Sequence, residues 1–174
     1  MIANILTFSR LLATVPLVYL LLNGYDLLTM FLLLLALLTD IFDGMVARKF
    51  NQVTQIGATL DPIIDKILYI SMLLSFIFLG YISSIGVILI LLRELLIMGL
   101  RGLCITGGEV VSAKKHGKLK AVLQSISIFI IIVMKNHWIS ELIIDITAAL
   151  TIYSGYKYLD TMLLIIERVD KNKK

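Results

Sequence analysis

"TDIFDGMVARKFNQVTQIGATLDPIIDK", residues 39–66, separates two long apolar runs and carries four aspartates, Asp40, Asp43, Asp61 and Asp65. A charged side chain at membrane depth costs ~2.5–3.5 kcal/mol on insertion scales, so carboxylates at the ends of greasy helices need a reason. Successive helical residues advance ~100°, which puts Asp40 and Asp43 ~60° apart and Asp61 and Asp65 ~40° apart. Ala47 lies close to the first line and Gly57 one turn before the second pair. Each helix therefore presents two carboxylates on one face. If the faces meet, four anions converge, and they stay ionised together only beside something that neutralises them. Oxygen-only donors suit hard cations such as Mg²⁺ or Mn²⁺. Two such ions can clamp the attacking and leaving oxygens of a phosphoryl displacement. Gly44, Ala47 and Gly57 leave room for a ligand, Arg48 matches a phosphate oxygen, and Pro62 suits the first turn of the second helix. The plainer alternative pairs the aspartates with Arg48, Lys49 and Lys66 at an interface. That fits any one of them, but four at two helical spacings on adjacent helices disfavour it.

The surroundings of this stretch are those of a membrane protein. The 174 residues are 59% hydrophobic and 16% charged, against about 25% charged in soluble domains. Apolar runs of ~20 residues cross a bilayer as helices. They are expected at about 8–23, 27–47, 61–80, 82–101, 118–135 and 139–165, in one domain over residues 1–174. Ile2–Ser9 reads as a short interfacial segment, retained rather than cleaved. Asn23-Gly24, Gly80-Tyr81 and Asn136-His137 mark turns. Continuous apolar runs disfavour a β-barrel. The predicted fold is all-α integral membrane, with six transmembrane helices and both termini cytoplasmic. That orientation puts 15 of the 16 Lys and Arg, all but Lys135, on the cytoplasmic side. It also puts the four aspartates there. The net charge of +4 comes without a nucleic-acid motif, so no nucleic-acid partner is expected. A lone cysteine, Cys104, and two distant histidines, His116 and His137, supply no other metal site.

"LLRELLIMGLRGL" places Arg93, Glu94 and Arg101 on the fourth helix. Arg93 is ~12 Å of helix rise and ~80° of rotation from Arg101. A charge so deep faces a partner or a watery cavity rather than lipid. In "SAKKHGKLKAVLQ", residues 112–124, Lys118 and Lys120 are ~200° apart on a helix, so only one of them faces inward. Two arginines and a lysine around one cavity suit a phosphorylated acceptor. In the later "YSGYKY", residues 153–158, Gly155 reads as a close-packing position between interfacial aromatics.

Asp40, Asp43, Gly44, Ala47, Arg48, Gly57, Asp61 and Asp65 match every specified position of D-x2-D-G-x2-A-R-x8-G-x3-D-x3-D. On these residues the chain resembles the CDP-alcohol phosphatidyltransferase family, and the six-helix layout extends the likeness over essentially the whole chain. The N-terminal "ANILTFSR" is similar to the family's P-N-x-L-T-x-x-R, with Ala3 in place of Pro. The resemblance implies a CDP-linked lipid donor, CDP-diacylglycerol, and two divalent cations, Mg²⁺ or Mn²⁺. An alcohol attacks the phosphorus next to diacylglycerol and CMP leaves. Asp40, Asp43, Asp61 and Asp65 would be the metal ligands, with Asp65 also the general base. Asp40, Gly44, Ala47, Arg48, Gly57 and Asp61 would bind the CDP-lipid. "RELLIMGLR…GKLK" resembles the phosphatidylglycerophosphate-forming branch found in bacteria. By that likeness Arg93, Arg101 and Lys118 hold the phosphate of sn-glycerol 3-phosphate. A multi-pass homodimer in the bacterial plasma membrane, surrounded by lipid and with its site facing the cytoplasm, is implied as well. Inositol phosphate is the rival acceptor. A cation transporter is disfavoured because the outer half offers only Asp26, Glu141 and Asp145, near helix ends. A catalytically dead structural protein would have no use for the intact signature.

Overall fold

The computed structural model describes the backbone of residues 2–49, 55–106 and 115–172. It describes the side chains of residues 11–39, 63–64, 66–100, 102, 122–156 and 159. Six helices follow one another: α1 Ile2–Leu22, α2 Asp26–Lys49, α3 Gln55–Phe78, α4 Ser84–Thr106, α5 Lys115–Met134 and α6 His137–Asn172. No strand occurs among the described residues. Among the described residues, no helix is long and apolar enough to cross a membrane.

Two sequence expectations need correction. Ile2–Ser9 is not a separate interfacial segment but the first two turns of α1. Its residues, IANILTFS, contain neither Gly nor Pro, so nothing breaks the helix before Arg10. The third helix begins at Gln55 rather than at Asp61, which puts Pro62 inside α3 rather than in its first turn. Gln55, Gly57 and Thr59 interrupt the apolar run in residues 55–60 and hid that extension, because a hydropathy boundary marks the edge of the greasy stretch and not the end of the backbone hydrogen bonding. The helices run on at other ends for the same reason, α4 to Thr106 and α6 to Asn172.

The turns are built as their residues demand. Gly24 has φ +76°. Its N–H bonds Leu21 O (3.1 Å) while Tyr25 N–H reaches Leu20 O (2.9 Å). This is the doubly bonded left-handed helix cap for which glycine is favoured. Gly80, φ +73°, closes α3 with a bond to Ile77 O (3.0 Å). Between α5 and α6 the left-handed residue is Lys135, φ +45°. Asn136 then caps α6 by accepting the Ile139 N–H (3.3 Å).

The chain forms two compact units, residues Met1–Gly80 and Tyr81–Lys174. In the first, α1 packs against both α2 and α3. Leu17 and Leu21 of α1, Leu33 of α2 and Met72, Leu73 and Phe76 of α3 make its core. In the second, α6 packs against α4 and α5. Val87, Ile90, Ile131, Ile132 and Ile144 are its large fully buried side chains among the described residues. α4 and α6 run parallel: Ser83 meets Glu141, Gly86 meets Ile144 and Arg93 meets Ser154, in step along both chains. Ser83 gives its N–H (2.6 Å) and its hydroxyl to the Glu141 carboxylate, tying the start of α4 to α6. Helical hydroxyls turn back on their own backbone, Thr29 to Tyr25 O (3.0 Å), Ser75 to Ser71 O (2.8 Å) and Thr147 to Ile143 O (2.7 Å). Each donor is thereby satisfied without water.

Candidate active site

In the first unit the signature falls on the last turns of α2 and the first turns of α3. The side chains of Asp40, Asp43, Gly44, Ala47, Arg48, Gly57, Asp61 and Asp65 lie outside the described residues, but their helical register is set. In α2 the inner stripe runs Thr29, Leu33, Ala36 in steps of four and three, with Thr29 and Leu33 buried. The next steps are Asp40 and Asp43. In α3 the buried residues Leu68, Met72, Ser75 and Phe76 form a stripe whose backward continuation is Asp65 and Asp61. On both helices the face that is apolar along the core becomes carboxylate at the end. α1, which packs on both helices, carries its own buried row of Thr14, Leu17 and Leu21, and Arg10 is one step before Thr14. Between α1 and α2 an open apolar groove of about 280 Å³ is lined by residues including Ala13, Pro16, Leu32, Leu35 and Thr39. It reaches to the residue before Asp40.

The donor set fits hard divalent ions: four carboxylates, two per helix, on rows that continue buried faces. Among the described residues no cluster of three or more His, Cys, Asp or Glu could hold a metal.

In the second unit the sequence pointed to Arg93, Arg101 and Lys118. Arg93 is described in full. Its Nη1 is 3.5 Å from Glu94 Oε1, and side-chain exposure is only 11% for Arg93 and 4% for Glu94. Nη2 donates to Ser154 Oγ on α6 (3.4 Å). Gln124 Nε2 on α5 donates to the same Glu94 oxygen (3.3 Å). A deep arginine has thus found a partner, as burial of charge requires. The side chains of Arg101 and Lys118 lie outside the described residues. By register Arg101 follows the buried residues Val87, Ile90, Glu94 and Ile97 in helical steps. On α5, Lys120 is one turn before the buried Gln124, whereas Lys118 stands ~120° around the helix from it.

A family model described as "CDP-alcohol phosphatidyltransferase" matches residues 1–153. The chain belongs to the CDP-alcohol phosphatidyltransferase family. It is a transferase, and the family match takes in residues of both compact units. A Rickettsia typhi protein named CDP-diacylglycerol–glycerol-3-phosphate 3-phosphatidyltransferase is 37% identical over 134 residues, 73% of this chain and 75% of its own length. A Bacillus subtilis protein of the same name is 32% identical over 133 residues, 73% of this chain and 69% of the relative. A Mycobacterium tuberculosis protein named probable phosphatidylglycerophosphate synthase is 35% identical over 126 residues, 71% of this chain and 60% of the relative.

Sequence reasoning had singled out Glu94 without giving it a role, and had passed over Gln124 and Ser154. One signal was available. An acid adjacent to an arginine at the same depth, nine residues into an apolar helix, must be neutralised locally, and Arg93 is the nearest group able to do it.

Proposed function

We propose that this phosphatidyltransferase moves the phosphatidyl group of CDP-diacylglycerol to sn-glycerol 3-phosphate, giving phosphatidylglycerophosphate and CMP. One observation carries the reading: all eight positions of the signature stand on the ends of α2 and α3, with the four aspartates at registers that continue the buried faces. The names of the relatives support the donor and the acceptor. Asp40, Asp43, Asp61 and Asp65 would hold two divalent cations, Mg²⁺ or Mn²⁺, whose charge offsets that of the donor diphosphate. Asp65 takes the proton of the acceptor hydroxyl as its oxygen bonds to the phosphorus bearing diacylglycerol. The bond from that phosphorus to CMP breaks. Asp40, Gly44, Ala47, Arg48, Gly57 and Asp61 receive the cytidine diphosphate. Arg93, Arg101 and Lys118 hold the acceptor phosphate.

The enzyme is read as a multi-pass homodimer of the bacterial plasma membrane, with both termini and the site on the cytoplasmic side. Large apolar side chains exposed on helices of both units support the membrane, among them Leu12, Leu27, Phe31, Phe78, Ile85 and Leu142. In water such faces would associate. Trp138, exposed at the start of α6, suits a headgroup layer.

The test is CMP release by purified protein given CDP-diacylglycerol, Mg²⁺ or Mn²⁺, and a panel of acceptors, with a chelator control. Glycerol 3-phosphate is expected to react and the chelator to stop it. Release with inositol phosphate alone would overturn the acceptor, and release with none would overturn the reaction.

A further inference from the structure

We propose that Gly155, Ser154 and the Glu94–Gln124 pair are positioning residues that set the acceptor-binding pose of Arg93. The proposal rests on the reading above that Arg93 contacts the acceptor phosphate. Residues of three helices meet at the Arg93–Glu94 pair. Its own helix supplies Glu94, whose carboxylate lies 3.5 Å from Nη1. α5 supplies Gln124, which donates to the same carboxylate oxygen at 3.3 Å. α6 supplies Ser154, which accepts from Nη2 at 3.4 Å. The floor beneath the arginine is Gly155. A Cβ built there would stand 2.9 Å from Arg93 Nε, closer than real Cβ atoms come, and 3.0 Å from Cγ, tighter than most of them. The obstruction lies along the stem rather than at its tip, so any residue larger than glycine displaces the whole guanidinium.

Held by Ser154 and Glu94, the Arg93 guanidinium has its direction set before the acceptor arrives. The rotamer freedom of a long side chain is then lost on folding rather than on binding, which favours affinity for the acceptor. Glu94 supplies the countercharge that allows Arg93 to stay buried when no acceptor is bound.

The test uses the full chain purified in detergent. Gly155→Ala is expected to raise the KM for glycerol 3-phosphate roughly tenfold, about one lost charge-assisted contact. The KM for CDP-diacylglycerol should change little. Ser154→Ala, which removes one hydroxyl and adds no bulk, should raise the acceptor KM in the same direction and less. The double variant Arg93→Ala/Gly155→Ala should be no worse than Arg93→Ala alone, because Gly155 acts only through the arginine. Additive losses, or equal increases in both KM values, overturn the proposal. Glycerol 3-phosphate should also raise the unfolding midpoint of the wild type, and Gly155→Ala and Arg93→Ala should blunt that shift alike. An undiminished shift in Gly155→Ala sinks the positioning role while leaving the transfer reaction intact. A wild-type shift blunted in Gly155→Ala, with no CMP released by any protein, sinks the transfer and keeps the positioning. No wild-type response of either kind overturns both.

Discussion

Gly86→Ala should destabilise the protein relative to Gly99→Ala, although both place alanine for glycine in the same helix. At Gly86 a Cβ would come 2.6 Å from Cγ2 of Ile144 and 3.4 Å from Oδ1 of Asp145. Carbon atoms pack best at about 3.5–4.0 Å, so the overlap with Ile144 is about 1 Å. Ile144 is fully buried and has no solvent side into which to turn. Overpacking of that kind costs about 1–3 kcal/mol. At Gly99 nothing stands within 4 Å of the position a Cβ would take. The preference of about 1 kcal/mol for alanine over glycine in a helix interior applies in full at Gly99 and only in part at Gly86, in the first turn of α4, so the clash itself is isolated by relief in the double variant with Ile144. For a chain of this size each kcal/mol moves the midpoint by roughly 2–4 °C. The measurement is helical circular dichroism on heating, in detergent, for both variants and for Gly86→Ala/Ile144→Ala. The third protein should lose less than the two single losses combined, since truncating Ile144 restores the room. Equal midpoints for Gly86→Ala and Gly99→Ala would refute the close parallel approach of α4 and α6.

Asp65→Asn keeps shape but removes the proton acceptor; turnover should fall by at least 10²-fold, the usual scale of general-base loss, with unchanged circular dichroism. Retained activity would remove Asp65 from that role. Arg101→Ala should raise the acceptor KM by roughly tenfold or more and leave CDP-diacylglycerol affinity nearly unchanged, as steady-state kinetics with each substrate varied in turn will report. Lys118→Ala and Lys120→Ala, compared in the same assay, decide which lysine serves the acceptor: the family likeness favours Lys118 and the α5 register favours Lys120. Lys135→Gly should stabilise by about 1 kcal/mol, read as a higher unfolding midpoint, because the left-handed conformation at φ +45° suits glycine.

The helices were legible because apolar runs and turn residues agree: Asn23-Gly24 and Gly80-Tyr81 stand between helices, and Asn136-His137 marks the start of α6. Helix ends were not, because single polar residues such as Asn4, Ser9 and Arg10, or Gln55 and Thr59, interrupt an apolar run without interrupting the helix. The aspartate pairs were legible from spacing alone, since i, i+3 and i, i+4 name a face without any tertiary knowledge. What holds Arg93 was not. Ser154 is 61 residues from Arg93 and Gln124 is 30 from Glu94, and hydroxyl and amide side chains at those positions carry no local pattern. Gly155 read correctly as a close-packing position, but only the structure shows that its neighbour is an arginine stem.

The Glu141 clamp has a consequence beyond two hydrogen bonds. Each α-helix behaves as if it bore about half a positive charge at its N-terminus. Because α4 and α6 are parallel, their N-termini lie side by side and these partial charges repel. Glu141 bonds the N-cap residue of α4 from the second turn of α6, so one carboxylate lies close to both positive ends. A neutral residue that kept the hydrogen bonds to Ser83 would still lose this compensation for two macrodipoles at once.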